Sequence, residues 1–93
     1  MSNTIVVIPT FNERENITPL LNRIFSLKIF VDVLILDDNS PDGTKNIVLK
    51  NKKKYKDRLH LINREKKQGL GKAYIEGFKW ALKRNYKKII QMD

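Results

Sequence analysis

Two short apolar runs, both rich in β-branched residues and both ending abruptly in polar ones, constrain this chain more than anything else in it. The first reads Thr4-Ile5-Val6-Val7-Ile8-Pro9; the second runs from Val31 to Leu36 and stops at Asp37 and Asp38. Nearly continuous apolar runs of this length are how strands look when both faces of a parallel sheet are covered. Helical patterns fill the gaps. Ile17, Leu20, Leu21, Ile24 and Phe25 recur at helical spacing, and Asn12 with Glu15 three positions later forms a candidate capping box. A weaker helix is expected from about Thr44 to Tyr55, a third strand over Leu59 to Asn63, and a fourth from about Lys88 to Met92. Between these last two strands, Gly69 opens a helix marked on one face by Leu70, Ala73, Tyr74, Gly77, Phe78, Ala81 and Leu82. The order βαβαβαβ calls for right-handed crossovers, hence an open three-layer α/β fold with a parallel sheet and helices on both faces.

Length and composition narrow the classes of function. Residues 1–93 suffice for one small domain, and 41% hydrophobic with 31% charged residues is too apolar for a disordered tail. The absence of cysteine excludes disulfides and thiolate metal sites. The start of the chain lacks a basic stretch followed by a long apolar one, and no apolar run is long enough to cross a bilayer, so a cytoplasmic location is expected. A formal charge of +9 suits anionic partners. The run from Lys50 to Lys56 nevertheless reads first as a solvated helix face. A basic α/β module binding nucleic acid or acidic lipid is the non-enzymatic alternative. It lacks aromatics interleaved with the lysines and any helix-turn-helix or RNP-like pattern, so no specific nucleic-acid partner is expected.

Chemistry is expected at the carboxyl ends of the strands, where open α/β sheets bind ligands. The first strand ends in Pro9-Thr10-Phe11-Asn12-Glu13, the second in Asp37-Asp38, and the fourth in Asp93. Carboxylates gathered on one edge repel unless a cation or a hydrogen-bonding ligand joins them. Some can instead cap helices, a role open to Asp42 and in part to Glu13 and Glu15. His60 reads as structural or surface, and Trp80 and Tyr86 as packing residues.

Four blocks, in order, carry a resemblance: Ile8-Pro9-Thr10-Phe11-Asn12-Glu13, Leu36-Asp37-Asp38-Asn39-Ser40-Pro41-Asp42-Gly43-Thr44, Gly69-Leu70-Gly71-Lys72-Ala73-Tyr74 with Gly77-Phe78, and Met92-Asp93. They resemble the signatures of the polyprenol-phosphate (dolichol-phosphate) mannosyltransferases of glycosyltransferase family 2. The resemblance implies the N-terminal half of a GT-A, Rossmann-like fold, in an inverting enzyme that moves mannose from GDP-mannose to a polyprenyl phosphate at the cytoplasmic face of a membrane. Pro9, Phe11 and Glu13 match the loop that holds base and ribose, with Phe11 where the family commonly has tyrosine. Leu36 and Asp38 match positions at the nucleoside, where a carboxylate can accept hydrogen bonds from base nitrogens or ribose hydroxyls. Gly69 and Gly71 match a turn into the third helix. Asp93 matches the first aspartate of an Asp-x-Asp motif that meets ribose and a divalent cation, Mg²⁺ or Mn²⁺.

The resemblance also implies that the second aspartate of that motif and the acceptor-binding half lie beyond Asp93. The isolated chain is then expected to bind nucleotide weakly, to lack a complete metal site and to transfer no sugar. No general base is assigned. A fourth strand without its usual neighbour is expected to leave a sheet edge open to self-association, read as a melting midpoint that varies with protein concentration. The enzymatic alternative is a family 2 member using a UDP-sugar and undecaprenyl phosphate.

Overall fold

The computed structural model of the chain describes residues 2–65 and 69–92. Four strands, β1 (Thr4–Thr10), β2 (Asp32–Asp37), β3 (Leu59–Asn63) and β4 (Lys88–Gln91), form one parallel sheet in the order β3-β2-β1-β4. They are joined by α1 (Arg14–Ser26), α2 (Thr44–Tyr55) with the short 3₁₀ turn Lys56–Arg58, and α3 (Leu70–Lys83). Winding runs outward from β1 to β3 and then returns across the sheet to β4, so the connections leave β1 in opposite directions.

Side-chain alternation sorts the apolar residues onto two faces. Val6 and Ile8 of β1 join Val33 and Ile35 of β2 beneath Ile17, Leu21 and Ile24 of α1 and Val48 of α2. Ile5 and Val7 join Leu34 and Leu36 on the opposite face, against Tyr74 and Ala81 of α3 and the buried Tyr86. All six residues of β2 are buried, the apolar run from Val33 to Leu36 together with Asp32 and Asp37 at its two ends. The helix from Thr44 and the strand from Leu59 begin and end at the expected residues.

Two expectations fail at helix ends. Asn12 and Glu15 form no capping box: α1 starts at Arg14, and Asn12 has φ +54°, a left-handed conformation that asparagine tolerates better than most residues. The first amide of α1 bonds instead to Asp42, 28 residues away, so a tertiary partner displaces the local one. On α3, Leu70 and Leu82, the first residue of the helix and the last but one, are exposed although they continue the apolar face.

β4 occupies an edge, pairs with β1 alone among the described residues, and leaves Ile90 exposed. His60 tilts against Trp80, their rings 4.9 Å apart, and partial burial pushes its imidazole below the usual histidine value. Tyr86 donates to the buried Asp32 at 2.6 Å, and desolvation, followed by that bond, raises its phenol. Trp80 and Tyr86 thus pack as expected, and His60 takes the structural of its two expected places.

Gly77 is what lets α3 lie close to the sheet. A Cβ there would come within 2.7 Å of Val7 Cγ1 and 2.9 Å of Leu36 Cδ1, both on fully buried side chains. Gly77→Ala is expected to cost about 1–3 kcal/mol from overpacking, offset in part by the roughly 1 kcal/mol that alanine gains in helix propensity. A lowered melting midpoint in calorimetry is the expected result; an equal or higher one would show that Val7 and Leu36 can yield.

Candidate functional site

In the sheet register, Thr10 lies beside Asp37 and Asp37 beside Asn63. The next residues, Phe11, Asp38 and Arg64, therefore step together off the carboxyl edge. Two backbone bonds carry the ladder past the strand ends, Asp38 N–H to Thr10 O at 3.1 Å and Arg64 N–H to Asp37 O at 2.7 Å. These bonds fix the backbone of Asp38 and Arg64 at the strand ends.

Alternation gives the adjacent aspartates different work. Asp37 has the parity of Val33 and Ile35 and turns toward the α1–α2 side. Fully buried, it accepts from the Thr10 hydroxyl at 2.9 Å, the Ser40 amide at 3.0 Å and the Ser40 hydroxyl at 2.6 Å. Ser40 Oγ in turn accepts from the Asn12 amide at 2.8 Å, so this one carboxylate ties the loop after β1 to the loop after β2. Asp38 has the parity of Leu34 and Leu36 and turns toward α3. There it reaches a cleft of about 330 Å³ lined by Pro9, Phe11, Glu13, Asp38, Gly69 and Leu70, with Thr10 and Ala73 completing the wall.

Four of the expected site residues thus come together: Pro9, Phe11, Glu13 and Asp38. Phe11 presents a ring that is 38% exposed at the cleft. Glu13 is partly exposed, its amide bonding to Thr44 Oγ1 at 3.1 Å and its Oε2 accepting from Asn16 at 2.9 Å. Leu36 does not reach the cleft. It is fully buried under Gly77 because its place in β2 points it into the core. Asp93 lies outside the described residues. Gly69 lines the cleft with φ +94° and ψ 159°, a conformation that essentially only glycine adopts, whereas a Cβ on Gly71 would meet nothing within 4 Å. The described residues contain no group of three carboxylate or imidazole side chains able to hold a metal ion. They do not by themselves fit a divalent cation.

Arg64 was missed. Its guanidinium is buried, with Nη1 3.3 Å from Asp38 Oδ1 and Nε 3.4 Å from Glu76 Oε1 on α3. The available signal was positional: an arginine directly after the third strand occupies the same step as Phe11 and Asp38. Composition pointed instead to the lysines, and Lys52 shows why that surface carries less meaning. Its ammonium is occupied at the end of α2, bonding the carbonyls of Lys56 and Leu59. A second groove, about 360 Å³, runs between the end of β1 and α1 past Ile17, Leu20 and Arg23. It shares Pro9, Thr10 and Glu13 with the first but lacks Asp38 and the start of α3.

A parallel sheet whose polar strand tips open into a cleft beside a helix N-terminus is the arrangement in which open α/β domains bind ligands. The chain belongs to glycosyl transferase family 2, whose profile matches residues 5–91. It is 42% identical over 90 residues to the polyprenol monophosphomannose synthase of Mycolicibacterium smegmatis, covering 97% of this chain and 34% of that protein. It is 39% identical over 89 residues to the undecaprenyl-phosphate mannosyltransferase of Micrococcus luteus, covering 96% of this chain and 36% of the relative. The chain thus spans about a third of the length of these curated relatives. The GT-A fold is shared with a solved mannosyltransferase, PcManGT from Pyrobaculum calidifontis, in complex with GDP-Man and Mn²⁺. That likeness has a TM-score of 0.78 at 24% identity and covers 84% of this chain and 24% of that one.

Asp42 is the capping carboxylate expected, and it serves two helices at once. Oδ2 accepts from Arg14 N–H at 3.2 Å at the start of α1, while Oδ1 accepts from Thr44 N–H at 2.9 Å and from the Thr44 hydroxyl at the start of α2. The Thr44 hydroxyl chiefly, aided by the two amides, holds the carboxyl below its usual value. A depressed carboxylate contributes stability that is fully present above its unfolded value, about pH 4, and lost as pH falls through the lower folded value. Asp42→Asn is expected to lower the melting midpoint at neutral pH and to flatten its decline below about pH 4. Superimposable acid limbs in the two proteins would contradict this.

Proposed function

We propose that this chain forms the nucleotide-sugar-binding part of an inverting glycosyltransferase that carries mannose from GDP-mannose to a polyprenyl phosphate at the cytoplasmic face of a membrane. The observation that carries the reading is the convergence of Phe11, Glu13 and Asp38 on one cleft at the carboxyl edge. The exposed Phe11 ring offers a face for a base. Asp38 and Glu13 offer carboxylates to the donors of a base edge or a ribose diol. The names of both curated relatives support mannosyl transfer to a polyprenyl phosphate.

In the complete reaction an acceptor phosphate oxygen forms a bond to the anomeric carbon as the bond to GDP breaks, with inversion. A phosphate whose second pKa is about 6 is largely ionised at neutral pH and needs no strong protein base to activate it. A divalent cation, Mg²⁺ or Mn²⁺, would offset charge on the departing diphosphate, with Asp93 as the candidate ligand. The residues of the cleft bind and orient the nucleoside end.

A UDP-sugar donor is the competing enzymatic reading, and one titration separates the two. By isothermal calorimetry the chain is expected to bind GDP, to bind UDP at least about tenfold more weakly, a difference of about 1.4 kcal/mol, and to lose most of its GDP affinity in Phe11→Ala. Preference for UDP would overturn the mannose assignment. Binding of neither nucleotide, with and without Mn²⁺, would overturn the cleft as a nucleotide site.

A further inference from the structure

We propose that the segment Ser40-Pro41-Asp42-Gly43-Thr44 is a clamp that shapes the nucleotide-facing loop after β1, with Ser40 the positioning residue for Phe11 and Glu13. The proposal rests on the reading of the cleft as a nucleotide site. Three successive amides of that loop each donate to a different side chain of the segment: Asn12 N–H to Ser40 Oγ at 2.8 Å, Glu13 N–H to Thr44 Oγ1 at 3.1 Å and Arg14 N–H to Asp42 Oδ2 at 3.2 Å. Ser40, Asp42 and Thr44 do not line the cleft, whereas Phe11 and Glu13 do.

One short stretch reaches three amides because its polar residues alternate. Gly43, between Asp42 and Thr44, has φ +89°, a left-handed turn that glycine takes without strain. The amides need such partners. Arg14 is the first residue of α1, where an N–H has no carbonyl one turn back within the helix. Asn12, with φ +54°, holds a conformation that costs a non-glycine residue energy unless its neighbours fix it.

Within the clamp Ser40 has the most local task. Asp42 and Thr44 also build the start of α2, and Thr44 is fully buried. Ser40 gives its hydroxyl proton to Asp37 Oδ1 at 2.6 Å, which leaves an oxygen lone pair for the Asn12 amide; a hydroxyl that donates to a carboxylate is the better acceptor for it. Bonds thus run from the buried Asp37 through Ser40 to the peptide unit that joins Phe11 to Asn12. The tip of β2, anchored in the core, sets the orientation of that peptide. Once Ser40 Oγ is gone, Asn12 is free to leave its left-handed conformation, and a change of φ there turns the Phe11 ring and the Glu13 carboxylate relative to each other.

Ser40→Ala removes the acceptor, and Ser40→Thr keeps it. In the 93-residue chain the Kd for GDP, measured by isothermal calorimetry, is expected to rise about threefold to tenfold in Ser40→Ala, the effect of one hydrogen bond, and to return to within about twofold of the original in Ser40→Thr. The second readout needs no ligand: in Ser40→Ala the Asn12 amide proton is expected to move upfield, while the amide resonances of Val33 to Ile35 stay in place and mark a local change in a folded chain. Unchanged GDP binding in Ser40→Ala overturns the proposal, as does a threonine variant that binds no more tightly than the alanine one, or an Asn12 resonance that does not move. Should the unmodified chain bind no GDP at all, the reading of the cleft fails, while the Asn12 resonance still decides whether Ser40 shapes the loop.

Discussion

Parallel strands held in register leave each side chain no choice of face, and the candidate site follows from that constraint. Asp37 and Asp38 are neighbours of the same type, yet one is sealed on the α1–α2 side and the other opens toward α3. A slip of one residue in the β1–β2 pairing would exchange them. It would also carry Val33 and Ile35 out of one apolar layer and Leu34 and Leu36 out of the other, so core burial enforces the register that aims Asp38. Packing and recognition are the same constraint seen at two positions along β2.

Polar contacts among the loops then stiffen what the sheet has aimed. Asp37 joins the segments after β1 and β2 through Thr10 and Ser40, and Asp42 joins the starts of α1 and α2. Both are carboxylates satisfied by hydroxyls and backbone amides, which offsets the cost of burying Asp37, while at Asp42 the helix N-termini themselves favour the negative charge. Most of the acidic loop is thus framework. From it Asp38 projects beside Arg64, with the Phe11 ring on the neighbouring strand tip. Gly77 brings α3 close enough to close the third side.

Much of this was legible in the residues. The β-branched runs placed the first two strands, and the helical spacing of Ile17, Leu21 and Ile24 placed the first helix and the face it buries, because burial on a parallel sheet imposes those patterns directly. The grouping of Pro9, Phe11, Glu13 and Asp38 followed from strand ends and family signatures together. Long-range partnerships were not legible. The cap of α1 comes from Asp42 and not from Asn12, since a carboxylate arriving from another loop satisfies the amide that local spacing had assigned to a neighbour. Leu36 belongs to a motif but lies in the core, because motif membership does not specify on which face a strand residue points. Arg64 was obscured by the many cations around it; only the register shows that it stands level with Asp38.

The central claim is that the tips of β1 and β2 and the start of α3 make one nucleotide-binding surface. Backbone ¹H–¹⁵N resonances of the chain titrated with GDP test it most directly. Saturable shifts should gather at Thr10 to Glu13, Asp38 and Gly69 to Ala73, while the amides of Lys50 to Lys54 on α2 stay where they are. Shifts centred on those lysines, or scattered over the surface without saturation, would mean that GDP is attracted by charge alone and that the acidic cleft is not its site.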